Sequence, residues 1–359
     1  MKNSVPLISL CIPAYNRPEY LSDLLSTIVN QDFNDFEVVV SEDNSPKSME
    51  IKKIVLDYAD RFKNISFNYS SNATTKGYDG NFRHLINISS GKFCVFMGDD
   101  DLLTEGALKR IASVLKSKKN IGVVIRCWAR ADRESKKIVE IFNYFDGDRF
   151  FEPGQETIAT FYRRSVAIAG YTVNRELAKK FNTDLFDGTL LYQLYLSGMI
   201  LAKSSGYYIS DVISLMRKDS NLEPTHFFGN AEAEKNLFSP GKLEMDNSLN
   251  FVDGILKIAK YLEIKNKMPG LYKQLLHDYG CYSYPLLSVQ SNLPKLKFWQ
   301  YYRKLSTRGL WVSPYFHLYF FALIIIGRQW CEKIIIFIKR KLKRTPKLGK
   351  ISTGIRISL

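Results

Sequence analysis

The spacing of hydrophobic positions switches repeatedly over the first 128 residues. LISLCI (7–12) is a short apolar run, interrupted only by Ser9 and stopped by Pro13, and reads as a buried strand. Leu21, Leu24, Leu25 and Ile28 then recur at i, i+3, i+4 and i+7, one face of a helix. FEVVVS (36–41) predicts a second strand, and Ile51, Ile54, Val55, Tyr58 and Phe62 a second helix. ISFNY (65–69) and FCVFM (93–97) predict the next two strands, with a short helix around Phe82, Leu85 and Ile86 between them. Ala107, Leu108, Ile111, Ala112 and Leu115 predict another helix, and IGVVIRCW (121–128) another strand. Strand–helix units with near-continuous apolar strands imply an α/β fold with a mostly parallel sheet and helices on both faces.

The pattern is less regular beyond residue 128. ADRESKKIVEIFNYFDGDRF (131–150) reads as a charged hairpin or excursion, ETIATFYRR and LLYQLYLSG as helices, and GYYISDVISLMR as a pair of strands. Residues 240–310 are helical in pattern and rich in aromatics. The division expected is a domain over 1–230, in halves 1–128 and 129–230, followed by a helical extension over 231–359.

Charge sharpens that division. Of the net +15, the segment 295–359 holds fifteen Lys and Arg against one acid, Glu332, whereas residues 1–294 carry 36 basic and 35 acidic residues. A near-neutral body argues against nucleic acid as a partner, and a basic tail beside apolar blocks suggests an anionic membrane surface. LYFFALIII (318–326) and IIIFI (334–338) are each too short to cross a bilayer. Read as one helix, the tail places Arg328, Glu332, Lys339 and Lys343 in a polar stripe beside Gln329, Lys333, Arg340 and Arg344. That suits a helix of about 313–350 lying in the interface. A buried C-terminal helix with a solvated end, or a helical hairpin joining copies of the chain into a homo-oligomer, is the competing reading. The five scattered cysteines include no CxxC pair, and the N-terminal apolar run is too short for a signal peptide, so a cytoplasmic location is expected. The four histidines, His84, His226, His277 and His317, share no ligand spacing.

In parallel sheets, ligands bind beyond the carboxyl ends of the strands. The residues there are Pro13 to Arg17, Glu42 to Ser45, Ser71 to Gly77 with Asn81, and Gly98 to Asp101. Together they could hold a nucleotide. Asp43 can accept from a base or ribose, Tyr15 offers an aromatic face, and Arg17 and Lys76 can neutralise phosphate. Three adjacent carboxylates, Asp99, Asp100 and Asp101, repel one another unless a cation intervenes. A hard divalent ion bound by one or two carboxylates and a diphosphate meets that need. Taken singly, the triplet could equally be an acidic first turn of a helix, and Asp43-Asn44-Ser45-Pro46 ordinary turn chemistry. GxGxxG and GxxxxGK[ST] are both absent.

The stretches ISLCIPAYNRPEYL, FEVVVSEDNS and SSNATTKGYDGNFRHLINISSGKFCVFMGDDDLL resemble, in order and spacing, the N-terminal half of the family 2 glycosyltransferases of GT-A fold. The resemblance covers residues 4–128 and continues more weakly to about 218. It implies that Asp43 binds the nucleotide base, that Pro13, Tyr15 and Arg17 form a nucleotide-contacting loop, and that Asn72, Gly77 and Asn81 approach the donor. It makes Asp99 to Asp101 the DxD region for Mn²⁺ or Mg²⁺, with Gly98 in place of the usual first aspartate. Either Asp100 is the ligand or Asp99 and Asp101 form a shifted pair. Within the resemblance we favour Asp100 and Asp101 at the metal and Asp99 near the ribose.

Such enzymes invert at the anomeric carbon, and a carboxylate deprotonates the acceptor. In NTDLFDGTLLYQLYLSG (182–198), Asp187 matches the family's base, Phe186 replaces the neighbouring glutamate, and Asp184 is the rival. Asp187-Gly188-Thr189 is otherwise a capping turn. Arg217 falls where the family often has a basic residue facing the diphosphate. The resemblance implies a nucleotide-sugar donor and a polyprenyl-diphosphate saccharide acceptor. It places the protein on the inner face of the cell membrane, in bacterial surface polysaccharide assembly, O-antigen or capsule. The GDDD form and the helical extension look like deoxysugar transferases, abequosyltransferases among them. The other readings are a non-catalytic binding or scaffold subunit and a sugar nucleotidyltransferase.

Overall fold

The computed structural model describes residues 5–62, 64–132, 137–218, 228–240 and 244–348. Along the chain run β1 (Ile8–Ala14), α1 (Pro18–Val29), β2 (Phe36–Glu42), α2 (Ser48–Ala59), β3 (Ser66–Ser71), α3 (Gly77–Ile88), β4 (Phe93–Phe96), β5 (Leu102–Leu103) and α4 (Ala107–Ser117). Then come β6 (Ile121–Asp132), β7 (Ile138–Phe142), β8 (Arg149–Phe151), α5 (Gln155–Phe161), β9 (Tyr171–Asn174), α6 (Arg175–Lys180), α7 (Tyr192–Leu201) and β10 (Ser205–Lys218). The rest is helical: α8 (Met245–Lys265), α9 (Leu271–Cys281), α10 (Tyr284–Ser288), α11 (Lys295–Thr307), α12 (Pro314–Ile325) and α13 (Arg328–Leu342).

The main sheet has the order β3-β2-β1-β4-β9-β6-β10-β5. β1 pairs in parallel with β2 and β4, β2 with β3, and β6 with β10, while β9 runs antiparallel between β4 and β6. This is the α/β architecture expected from the sequence. The central strands β1, β2 and β4 are mainly apolar because both faces are covered: Leu10, Ile12, Val38, Val40, Val95 and Met97 pack with α1, α2 and α4, and Cys11, Val39, Cys94 and Phe96 face the other way. On that second face, one continuous cluster runs from Phe82 and Phe96 through α7 to Leu262 of α8 and Phe320 of α12. All five cysteines are buried thiols.

Two expectations need correcting. GYYISDVISLMR is not a pair of strands but part of the single strand β10, whose register against β6 shifts around Val212. A bulge there bends the strand without reversing it. The tail is also not one helix. Gly327, at φ 82°, separates α12 from α13. Nor is the basic stripe wholly outward: Lys339 Nζ reaches Glu140 at 2.5 Å on β7, and Arg344 reaches Asp146 at 2.5 Å. The charged segment 130–150 does form a hairpin, β6 with β7, closed by Asp132 N to Lys137 O at 3.0 Å. Among the described residues, no helix is long and apolar enough to cross a membrane.

Candidate active site

The strand ends meet at one rim. Asp43 N donates to Ala14 O at 3.1 Å, so the turns after β1 and β2 lie side by side, and Asn72 N bonds Glu42 O at 2.9 Å, bringing the turn after β3 alongside. Glu42 shapes the second turn by accepting from Asn44 N at 3.1 Å and Ser45 N at 2.7 Å.

Asp43 organises the third turn. It accepts from Asn72 Nδ2 at 2.8 Å, Lys76 N at 2.9 Å and Gly77 N at 2.8 Å. These donors favour the ionised carboxyl, but burial outweighs them and moves its pKa above the usual range. Lys76 Nζ turns to Asn72 Oδ1 at 2.5 Å, and Asn81 is tied to Ser41. Gly77 starts α3 at φ +75°, and a Cβ there would lie 2.4 Å from Glu234 Oε1. Both the backbone angle and this close approach demand glycine. Glu234, which sequence reasoning missed, is buried and accepts from Tyr78 N and Gly229 N, each at 2.8 Å. Two carboxylates thus satisfy the first N–H groups of α3.

The acidic triplet follows β4. Tyr15 N donates to Asp99 Oδ2 at 3.0 Å, and the Arg17 guanidinium bridges Asp99 and Asp100, reaching Asp100 Oδ2 at 2.6 Å. Asp99 is fully buried, which pushes its carboxyl up to about 6 despite Arg17. Burial, with Asp100 next, also raises Asp101. Asp100 is the open member of the triplet, 43% exposed. Asp100 Oδ1 and Asp101 Oδ2 converge over Gly98, at 2.9 and 2.8 Å from where a Cβ would stand. That cradle explains the glycine at a position where an aspartate was expected, since any side chain would displace the two oxygens. Among the described residues no group of three His, Cys, Asp or Glu side chains could hold a metal ion. Two converging carboxylates fit a hard divalent ion that takes its remaining ligands from a diphosphate and water.

Pro13, Tyr15, Arg17, Asp43, Gly77, Asn81 and Asp99 to Asp101 line one cavity of about 550 Å³. Asn72 and Lys76 stand behind Asp43. The remaining predicted residues are not in the lining. Arg217 pairs with Asp23 at 2.6 Å and lies over the Tyr20 ring. Asp184 is exposed. Asp187 is held by Arg83, through Nε to Oδ1 at 3.0 Å and through Nη2 to Oδ2. Asp79, one turn before Arg83 on α3, accepts from Leu190 N at 2.8 Å and Tyr192 N at 2.9 Å. Its buried carboxyl is pushed up to about 7. The grip holds Leu190, which is at φ 63°, against the cavity. Asp79, Arg83 and the cavity wall contributed by the C-terminal extension carried no signal in the sequence beyond helical spacing.

His84, His277 and His317 each bond a neighbouring polar side chain, and His226 lies outside the described residues.

Residues 9–174 match the Glycosyl transferase family 2 model. Abequosyltransferase RfbV of Salmonella typhimurium is 36% identical over 117 residues, which are 32% of this chain and 34% of that protein. The GalNAc(5)-diNAcBac-PP-undecaprenol beta-1,3-glucosyltransferase of Campylobacter jejuni is 36% identical over 118 residues, 33% of this chain and 36% of the relative. The matches therefore span about a third of the length of these relatives. Among solved structures, S. aureus TarS 1–349 aligns with 83% of this chain and 87% of its own, at 16% identity and TM-score 0.47. The matched segment carries every strand-end residue of the cavity from Pro13 to Asp101, and over residues 9–174 the chain is similar to glycosyl transferase family 2.

Proposed function

We propose that the protein is an inverting glycosyltransferase of GT-A type. It transfers a sugar from a nucleotide-diphosphate sugar to a hydroxyl of a lipid-linked, polyprenyl-diphosphate saccharide, in assembly of a bacterial O-antigen or capsule. The observation that carries this reading is the convergence of Asp43 and Asp99 to Asp101, from the ends of β2 and β4, on one cavity. Asp43 and Pro13 to Tyr15 receive the nucleoside. Asp100 and Asp101 would hold Mg²⁺ or Mn²⁺, which would supply positive charge beside the diphosphate. Arg17 fixes Asp99 and Asp100 in place. Asp187, oriented by Arg83, removes the proton from the acceptor oxygen as that oxygen attacks the face of the sugar opposite the leaving group, with Asp184 as the other candidate base. The Campylobacter jejuni relative, named for a saccharide linked to undecaprenol through a diphosphate, supports the acceptor class.

The membrane reading rests on α12 and α13. Trp311, Ile325, Trp330 and Phe337 are each more than half exposed, and Lys333, Arg340, Lys341 and Lys343 lie along α13 and its end. Apolar and aromatic side chains beside basic ones suit the inner, anionic leaflet, at about 1 kcal/mol for each lysine or arginine at the surface.

The test is donor consumption by the full chain, with UDP-, GDP-, CDP- and dTDP-sugars screened with and without Mn²⁺. Metal-dependent release of nucleoside diphosphate, lost in Asp100→Asn, is the result expected. A chain that binds none of the four with metal present cannot have this function.

A further inference from the structure

The cavity has two chemically different halves. The near half is the rim of strand-end carboxylates. The far half is closed by Val166, Ile168, Leu190, Met216, Phe251 and Val289, which come from both the family domain and the helical extension. Its polar side chains are mostly committed to the protein. Tyr301 Oη donates to Leu286 O at 2.8 Å, and Ser248 Oγ accepts from Gln290 Nε2 at 2.8 Å. The Asn247 amide makes two bonds to the Ser239 backbone, each at 3.2 Å.

Gln193, in the first turn of α7, differs. It lines the cavity and is 1% exposed. Its Nε2 donates to Val166 O at 3.0 Å, and a carbonyl partner fixes which end of the amide is nitrogen. Its Oε1 is buried and has no hydrogen-bond partner among the described residues. A buried acceptor left in that state costs about 1–3 kcal/mol. The cost is recovered when a ligand donates to it.

The position of this wall relative to the carboxylates follows from the backbone. Gly170 N donates to Phe96 O at 2.7 Å, two residues before Gly98. The segment from Val166 to Gly170 therefore lies beside the Asp100–Asp101 cradle. A group joined to the diphosphate on the side away from the nucleoside meets Val166, Ile168 and Gln193.

The geometry points to the far half as the subsite of the transferred sugar, with Gln193 Oε1 accepting from one sugar hydroxyl and the apolar wall selecting a sugar deoxygenated at its exocyclic carbon. This rests on the donor reading above. A methyl at that carbon projects from the ring and packs on the wall. With Gln193 Oε1 taken by the other sugar hydroxyl, a hydroxymethyl there would bury an oxygen against the apolar side chains of Val166 and Ile168. A hydrophobic pocket rejects an added hydroxyl by at most roughly 100-fold, so a preference of about 10- to 100-fold is expected.

The test is calorimetric titration of the full chain with Mn²⁺. UDP, GDP, CDP and dTDP are titrated first, then the hexose and 6-deoxyhexose forms of whichever nucleotide binds. The 6-deoxy donor should bind at least about tenfold more tightly than its hydroxylated partner. Gln193→Leu should weaken the 6-deoxy donor about tenfold while leaving the nucleoside diphosphate alone unchanged, which also shows that the variant is folded. Equal or tighter binding of the hydroxylated donor overturns the proposal. So does a Gln193→Leu effect of the same size on the bare nucleoside diphosphate. If no nucleoside diphosphate binds, the donor reading falls and this subsite falls with it.

Discussion

Arg83 grips Asp187 with two nitrogens of its guanidinium, and Asp79 one turn earlier holds the backbone of Leu190 and Tyr192. A single face of α3 therefore fixes the whole turn that enters α7. With Asp187 as the base, Asp187→Asn removes basicity while the turn stays anchored by Asp79. The expected outcome is a kcat lower by about 10²- to 10⁴-fold with donor affinity unchanged, measured by steady-state kinetics and titration. A kcat within about tenfold of wild type would assign the carboxylate to structure and move attention to Asp184.

Gly98 gives a second test. The added methyl of Gly98→Ala meets Asp100 Oδ1 and Asp101 Oδ2. The two oxygens must separate, and Mn²⁺ affinity in the presence of nucleoside diphosphate is expected to fall by roughly 10- to 100-fold, read by paramagnetic resonance. Unchanged metal binding would show that the ion is held elsewhere.

Asp79 sets an expected pH dependence. Its folded pKa of about 7 lies above the unfolded value of about 3.9 because burial disfavours the charge. Asp187 and Glu234 add repulsion, and the N–H groups of Leu190 and Tyr192 oppose it. The folded state therefore binds the extra proton. Its stabilising contribution is complete below about pH 4 and is lost as pH rises through about 7, on the order of 4 kcal/mol in full. Calorimetric melting of wild type and Asp79→Asn between pH 5 and 8 should show the wild type losing more stability with rising pH. Parallel curves would mean that the group does not titrate in this range.

The membrane reading is checked with two exposed residues. Ile334→Asp with Phe337→Asp places charge on the outer side of α13, where both side chains face solvent. Folding should change by less than about 0.5 kcal/mol per site, because neither side chain is packed in the core. Flotation with vesicles containing phosphatidylglycerol should fall sharply, and wild-type binding should weaken with added salt. Retained flotation of the double variant would remove α13 from the contact.

The strand ends were legible because two signals coincide there. An apolar run of strand length gives the position, and the polar residues after it can reach only the sheet's carboxyl edge. Asp43 and Asp99 to Asp101 could be placed that way before any coordinates. Arg17 could be placed but not its partners: nothing in its spacing says that it bridges Asp99 and Asp100. Arg217 follows from the resemblance alone, yet its side chain lies over Tyr20 on α1, because a matching place in the sequence does not fix a neighbour. The far wall of the cavity was illegible for a similar reason. Phe251, Pro285 and Val289 lie 150 or more residues from the acidic triplet, and helical periodicity gives no tertiary address. Leu190 at positive φ is likewise invisible without its partner Asp79.

Every position of α7, from Tyr192 to Leu201, is buried. Its Gly198 backs directly onto Leu262 of α8, with only 2.2 Å between that side chain and the place of an absent methyl. A helix wetted on no side cannot survive the loss of either neighbour. Severing the chain near residue 230 would strip a broad oily flank from α7, and the fragment would clump or melt rather than report on the chemistry of its acidic rim. Dissection of this protein must therefore proceed residue by residue, with all its helices in place.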